Sequence, residues 1–198
     1  MNSFSNITEV GLTGGNPRYN EDQLRQKFNL TKPKEKTVLL TFGGLGLQAI
    51  PYTNLKQFSD WQFITFDSTA PELDNLLKIA DHHYRPVDFM PLTGRIISKP
   101  GYSTFAEALR LGIPLVSLTR EGFAEAPLLL EGIQNYAEHQ IITPSQFFEG
   151  NWDFLRENLK PPRQNANLLL NGSETIADAV IKYFDQSQLN CLKTAYRQ

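Results

Sequence analysis

A chain of 198 residues with a formal net charge of -2, 40% hydrophobic and 20% charged, is sized for one domain with a two- or three-layer core, and a second full domain is not expected. The near-neutral balance, with Lys and Arg scattered along the chain, argues against nonspecific attraction to nucleic acid or anionic lipid. No apolar run approaches the ~18 residues of a transmembrane helix, the opening MNSFSNITEVGLTGG lacks the basic-then-apolar order of a secretory signal, and Cys191 as the lone cysteine makes a reducing, cytoplasmic setting the expectation.

In chain order, Asn20-EDQLRQKF-Asn29 reads as a short helix capped by Asn20, with Leu24 and Phe28 as its i,i+4 apolar pair. TVLLTF, Thr37 to Phe42, is a strand buried on both faces, stopping at Gly43-Gly44. A helix after Pro51 uses Leu55 and Phe58. WQFITF, Trp61 to Phe66, is the second strand, Pro71 to Ile79 reads as a short helical piece, and HHYRP is a weak short strand. DFMPLTG is a helical turn, RIISK a strand, and Ser103 to Leu111 a helix stopped at Gly112. IPLVSL is a strand with Pro114 near its start, AEAPLLLEGIQNYAEH a helix, and QIIT a brief strand. Pro144 opens a helix reaching toward Leu159. Ser173, as N-cap, opens a final amphipathic helix whose stripe is Ile176, Ala177, Val180, Ile181 and Phe184.

Strands alternating with helices, and strands without strict polar alternation, predict an α/β fold with helices on both faces of a parallel sheet. The expected organisation is an extension over 1–36, a compact domain over 37–184 and a tail over 185–198.

Ligands of such sheets collect beyond the carboxyl ends of the strands. Two junctions there are candidates: Gly43 and Gly44 after the first strand, and SKPGYST after RIISK, where Lys99 adds a positive charge and Gly101 lets a helix open at Ser103 and Thr104. Glycine permits close backbone approach, and a helix start offers N–H groups to an anion. The bland reading is equally specific. Gly101 serves the turn, Lys99 is merely exposed, and Thr104 with Glu107 makes a capping box. Neither GxGxxG nor GxxxxGK[ST] is present, and no cofactor is expected.

A third segment, TREGFAEAP, joins the same edge. There Arg120, Glu121 and Glu125 are either a ligand-facing set or a solvated one, and Phe123 closes over a ligand or plugs the core. His82 and His83 are adjacent and His139 is distant, so no metal is expected. Trp61 and Trp152 read as packing anchors.

ISKPGYSTFAEALRLGIPLVSLTREGFAEAPLLLEG, Ile97 to Gly132, resembles the donor-binding half of two-domain glycosyltransferases of the GT-B fold. It looks closest to the glycosyltransferase-like domain of uncharacterised bacterial proteins and of plant sugar-kinase amino-terminal regions. The resemblance implies a Rossmann-like, doubly wound sheet in the order 3-2-1-4-5-6, with the two glycine junctions as neighbours at the reversal. It implies that Gly43 and Gly44 face donor phosphates across a cleft from Lys99, Gly101, Ser103 and Thr104. Glu107 would accept from the nucleotide ribose, and Phe123 and Glu125 would lie near the sugar.

Lys99-Pro100 stands where the family often has His, and GFAEAP offers Glu125 alone where the family often has Asp-Gln or Glu-Asn. The family's amino-terminal, acceptor-binding half has no counterpart in 198 residues. The implied partners are therefore a nucleotide sugar or nucleoside diphosphate and an acceptor-binding GT-B-like half, either a separate subunit or a missing segment; catalytic residues are not assigned. The alternatives are a noncatalytic protein-binding or regulatory module on the same fold, and a different small-molecule enzyme on a similar sheet.

Overall fold

The computed structural model describes residues 7–42, 50–164 and 167–195, with 185–195 described by backbone alone. The chain divides into two compact units, Gly15–Ala166 and a smaller one that joins Met1–Gly14 to Asn167–Gln198.

The larger unit holds a six-stranded sheet of β1 (Thr37–Leu40), β2 (Gln62–Thr65), β3 (Leu76–Lys78), β4 (Arg95–Ser98), β5 (Leu115–Leu118) and β6 (His139–Ile142). Its order is β3-β2-β1-β4-β5-β6, and every adjacent pair is parallel. This is the doubly wound order, with its reversal between β1 and β4. Around it run α1 (Glu21–Lys27), α2 (Pro86–Phe89), α3 (Tyr102–Leu111), α4 (Ala126–Tyr136) and α5 (Pro144–Phe148).

Period-two alternation divides the core. Val38, Leu40, Phe63, Ile97 and Val116 pack on one face with Leu55, Phe58, Phe147 and Trp152. Leu39, Ile64, Ile96 and Leu115 pack on the other with Leu24, Phe89, Phe105 and Ile133. Since both faces are apolar, the strands read as continuous hydrophobic runs, as buried parallel strands do.

Several elements follow the sequence closely. Asn20 caps α1 by accepting the Asp22 N–H at 2.8 Å, and Gln23 completes a capping box. Gly112 ends α3 in the left-handed region, at φ 64°.

Three readings are corrected. Pro71 to Ile79 is not helical: β3 occupies Leu76–Lys78 and pairs with β2. Leu76 faces one core and Leu77 and Ile79 the other, a strand's alternation hidden in a run too short to reveal its period. Asn75 fixes the entry, its Nδ2 donating to the Leu55 and Phe58 carbonyls. HHYRP is a turn leading into α2, not a strand. The helix opened by Pro144 stops at Phe148, and a 3-10 turn follows at Asp153–Arg156. Between the two, Trp152 adopts φ 60°, its ring fully buried and its indole N–H donating to the Phe147 carbonyl at 2.7 Å.

In the smaller unit, the Leu12 N–H donates to the Leu169 carbonyl at 2.8 Å and the Gly172 N–H to the Leu12 carbonyl at 3.1 Å. The approach is so close that a Cβ on Gly172 would sit 2.0 Å from the Gly11 carbonyl oxygen. Here α6 runs Gly172–Ala195, beyond the expected span, and Ser173 lies inside it rather than at its cap. Its stripe is exposed at Ile176, Val180, Ile181 and Phe184.

Candidate functional site

Because the strands are parallel, β1, β4 and β5 all end at one edge of the sheet. Pairing of Leu40 with Ile97 and of Ser98 with Ser117 brings the strand ends level, and the Thr41 N–H extends the ladder to the Ile97 carbonyl at 3.0 Å. Phe42 and Lys99 therefore leave adjacent strands at the same edge, and Thr119-Arg120 leaves beside them. Gly43 and Gly44 lie outside the described residues.

The SKPGYST junction makes one tight passage from strand to helix. Ser98, buried at the end of β4, donates its hydroxyl to the Lys99 carbonyl at 2.9 Å. Gly101 is the N-cap of α3 and provides no capping side chain. Tyr102 and Ser103 follow exposed, with Thr104 half-buried. The helix thus presents its first turn without the Ser, Thr, Asp or Asn that ordinarily covers it.

Two parts of the bland reading fail here. Gly101 has φ -166° and ψ 129°, extended backbone open to any residue, and a Cβ there would meet nothing closer than the Lys99 carbonyl oxygen at 3.9 Å. The turn does not require glycine. The Thr104–Glu107 capping box is also absent, since the helix starts at Tyr102 and Glu107 is engaged elsewhere.

Lys99 is half-buried. Burial, and then the charge of Arg120, hold its ammonium below the ordinary lysine value. Arg120 in turn lies over the Phe123 ring, its guanidinium carbon 4.2 Å from the centroid, an arrangement that orients the cation by the ring's quadrupole. Two positive groups from successive strand ends therefore share one neighbourhood beside the start of α3. Gly122, at φ 70°, makes the turn that returns Phe123 beneath Arg120. Glu125 is exposed at the N-cap of α4 and makes no side-chain cap bond.

Glu107 lies on the second turn of α3. It accepts the Gly15 N–H at 3.0 Å, and burial pushes its carboxyl above the usual range against that bond and the nearby Arg85 and Arg110. Arg110 donates to the Gly15 carbonyl at 3.3 Å and to Asn16 Oδ1 at 3.0 Å, and Arg85 to the Asn16 carbonyl at 2.8 Å. Next to this strap the buried Asp88 takes the Arg18 guanidinium at 2.8 Å and the Arg18 and Arg85 backbone N–H groups at 2.9 Å. Burial pushes the Asp88 carboxyl up, but these bonds outweigh it and bring it below the usual value.

Arg120, read from the sequence as part of a ligand-facing or solvated set, stands here as a second cation near Lys99. One feature escaped sequence reasoning, a polar cluster at the end of β2, where the Tyr52 hydroxyl donates to Asp67 at 3.0 Å and lies 3.2 Å from the Thr65 hydroxyl. No spacing in the sequence signals it. Among the described residues no His, Cys, Asp and Glu group could hold a metal, and no helix is long and apolar enough to cross a membrane.

No protein-family model matches the chain. It is 26% identical over 185 residues to L-arabinokinase of Arabidopsis thaliana, a match taking in 89% of this chain and 17% of that protein. The chain thus spans less than a fifth of the curated relative. Among solved structures it is similar to UDP-GlcNAc 2-epimerase from Neisseria meningitidis bound to UDP-GlcNAc, at 16% identity over 82% of this chain and 48% of that one, with a TM-score of 0.49. It is also similar to the spinosyn forosaminyltransferase SpnP, at 18% identity over 72% of this chain and 38% of that one, with a TM-score of 0.48.

Proposed function

We propose that the Gly15–Ala166 unit binds a nucleoside diphosphate, as part of a nucleotide sugar, at the edge where β1, β4 and β5 end. The observation that carries the reading is the pairing of a helix start whose N-cap, Gly101, brings no capping side chain with two cations, Lys99 and Arg120, close enough that the charge of Arg120 lowers the Lys99 ammonium. Backbone N–H groups at a helix start and a lysine together are a diphosphate's natural partners. The glycine that the turn itself does not need leaves room for the phosphates to approach.

In this reading Gly43 and Gly44 complete the cradle from β1, Ser103 and Thr104 add hydroxyls, Glu107 meets the ribose, and Phe123 and Glu125 face the sugar. The unit is the donor-binding half of a glycosyltransferase in the cytoplasm, and a GT-B-like acceptor domain, on another chain or on a segment outside this sequence, supplies the acceptor site and base. Its own contribution to transfer is to hold the diphosphate as charge accumulates on it on leaving. The sugar-kinase chemistry in the plant relative's name is not extended to this chain, which covers 17% of that protein.

Calorimetric titration of the folded chain with nucleoside diphosphates and nucleotide sugars tests the proposal. Binding that weakens on Lys99→Ala supports it. A folded chain that binds none of them favours the competing reading of a noncatalytic module.

A further inference from the structure

At the opposite edge of the same sheet, where the strands begin, a second site is built from different residues. Lys36 precedes β1, Trp61 precedes β2 and Arg95 opens β4, and the parallel pairing of these strands puts all three at that edge. A cavity of about 480 Å³ opens there, lined among others by Lys36, Asp60, Trp61, Arg95, Arg156 and Glu157.

The charges around it are unevenly matched. Lys36 pairs with Asp60 at 3.0 Å and Arg156 with Asp153 at 3.2 Å. Arg95 has no carboxylate partner among the described residues. Its guanidinium lies 5.5 Å from the Trp61 ring centroid and donates from Nη1 to the Leu155 carbonyl at a long 3.3 Å, while its Nε is buried with no hydrogen-bond partner. Burial holds the group below its ordinary value with nothing to offset it.

A desolvated guanidinium without an anion costs free energy that an apolar residue of similar length would not. A desolvated, unpaired charge lining a cavity marks a candidate binding site. We infer that this cavity binds a small molecule through a single carboxylate or phosphate group held by Arg95 beside Trp61. Glu35 and Glu157 also line the cavity and disfavour a polyanion, so the ligand carries one such group. The four residues of β4, about 13 Å long, separate this site from Lys99. The two sites stand or fall independently.

The test follows the Arg95 Nε–H and Trp61 indole N–H signals of the full chain by NMR while inorganic phosphate, or separately acetate, is added at constant ionic strength. Both signals are expected to move saturably in the millimolar range with at least one probe, and the probe that acts tells which oxyanion is preferred. Lys99→Ala should leave the response intact. Arg95→Met, which replaces an unpaired buried charge by an apolar chain, should abolish the Trp61 response, and Arg95→Lys should weaken it about tenfold by losing the planar fork. Signals unmoved by both probes, or a Trp61 response retained in a folded Arg95 variant at full strength, would overturn the inference.

Discussion

The Glu107 carboxylate, on the second turn of α3, accepts the backbone N–H of Gly15 at 3.0 Å, a bond that joins positions 92 apart in the chain. It fastens the segment before α1 against the helix that opens at the proposed diphosphate site. The side chain that the family resemblance assigns to a ribose is therefore already serving the fold, and a ribose must share or displace the Gly15 contact.

Glu107→Ala leaves the Gly15 N–H without its acceptor and should cost about 1–2 kcal/mol in denaturant unfolding. Glu107→Gln keeps an acceptor and removes the charge. The folded-state carboxyl is raised, so the folded protein holds its proton to higher pH than the unfolded chain, and stability falls as pH rises through that window. The Gln variant should therefore gain on wild type as pH rises from the ordinary carboxylate value through the raised one, measured as the pH dependence of the unfolding midpoint; a constant difference would contradict the assignment.

Asp88 behaves in the opposite sense. Its folded carboxyl is depressed, so its contribution is present above the ordinary carboxylate value and disappears as pH falls through the depressed one. Asp88→Ala should cost about 3 kcal/mol at neutral pH, the low end for a broken buried pair, because the Arg18 and Arg85 side chains left behind are 45% and 42% exposed. Thermal unfolding of the variant should lose part of the acid sensitivity that wild type shows, the rest staying with the lowered carboxyls of Asp60, Asp67 and Asp81.

Arg120→Gln should act on the ligand site in two directions. Removing a cation lowers diphosphate affinity at neutral pH, while relief of repulsion raises the Lys99 ammonium toward its ordinary value of about 10.4. In wild type, affinity should fall as pH rises through the lowered Lys99 value, since a diphosphate favours the charged amine. In Arg120→Gln that fall should begin at higher pH, as calorimetry across alkaline pH would record. Losses in the Lys99→Ala, Arg120→Gln double variant should be less than additive, because both groups act on one ligand.

Much of the architecture was legible in the residues. TVLLTF, WQFITF, RIISK and IPLVSL each announce a buried strand, and Gly112 marks the end of α3. The third strand was not, because Leu76–Lys78 gains its structure from pairing with β2 rather than from local propensity. Trp152 was legible as an anchor, but its left-handed backbone was not. At the site, Lys99 and Gly101 stood out through their spacing. Their significance depended on facts no spacing carries: that Gly101 sits in an unstrained conformation, and that Arg120 from the next strand lies beside Lys99. Glu107 read as a capping partner because local sequence cannot report a bond to Gly15.

The most direct measurement is calorimetric titration of nucleoside diphosphates into wild type and Gly101→Ala. The fold has no need of glycine at this position, so the variant should match wild-type stability within about 0.5 kcal/mol. Its new methyl group would stand where the phosphates approach the start of α3. Saturable binding by wild type that weakens about tenfold or more in this fully folded variant is the predicted result, whereas no binding by folded wild type, or equal affinity in the two proteins, would contradict the account.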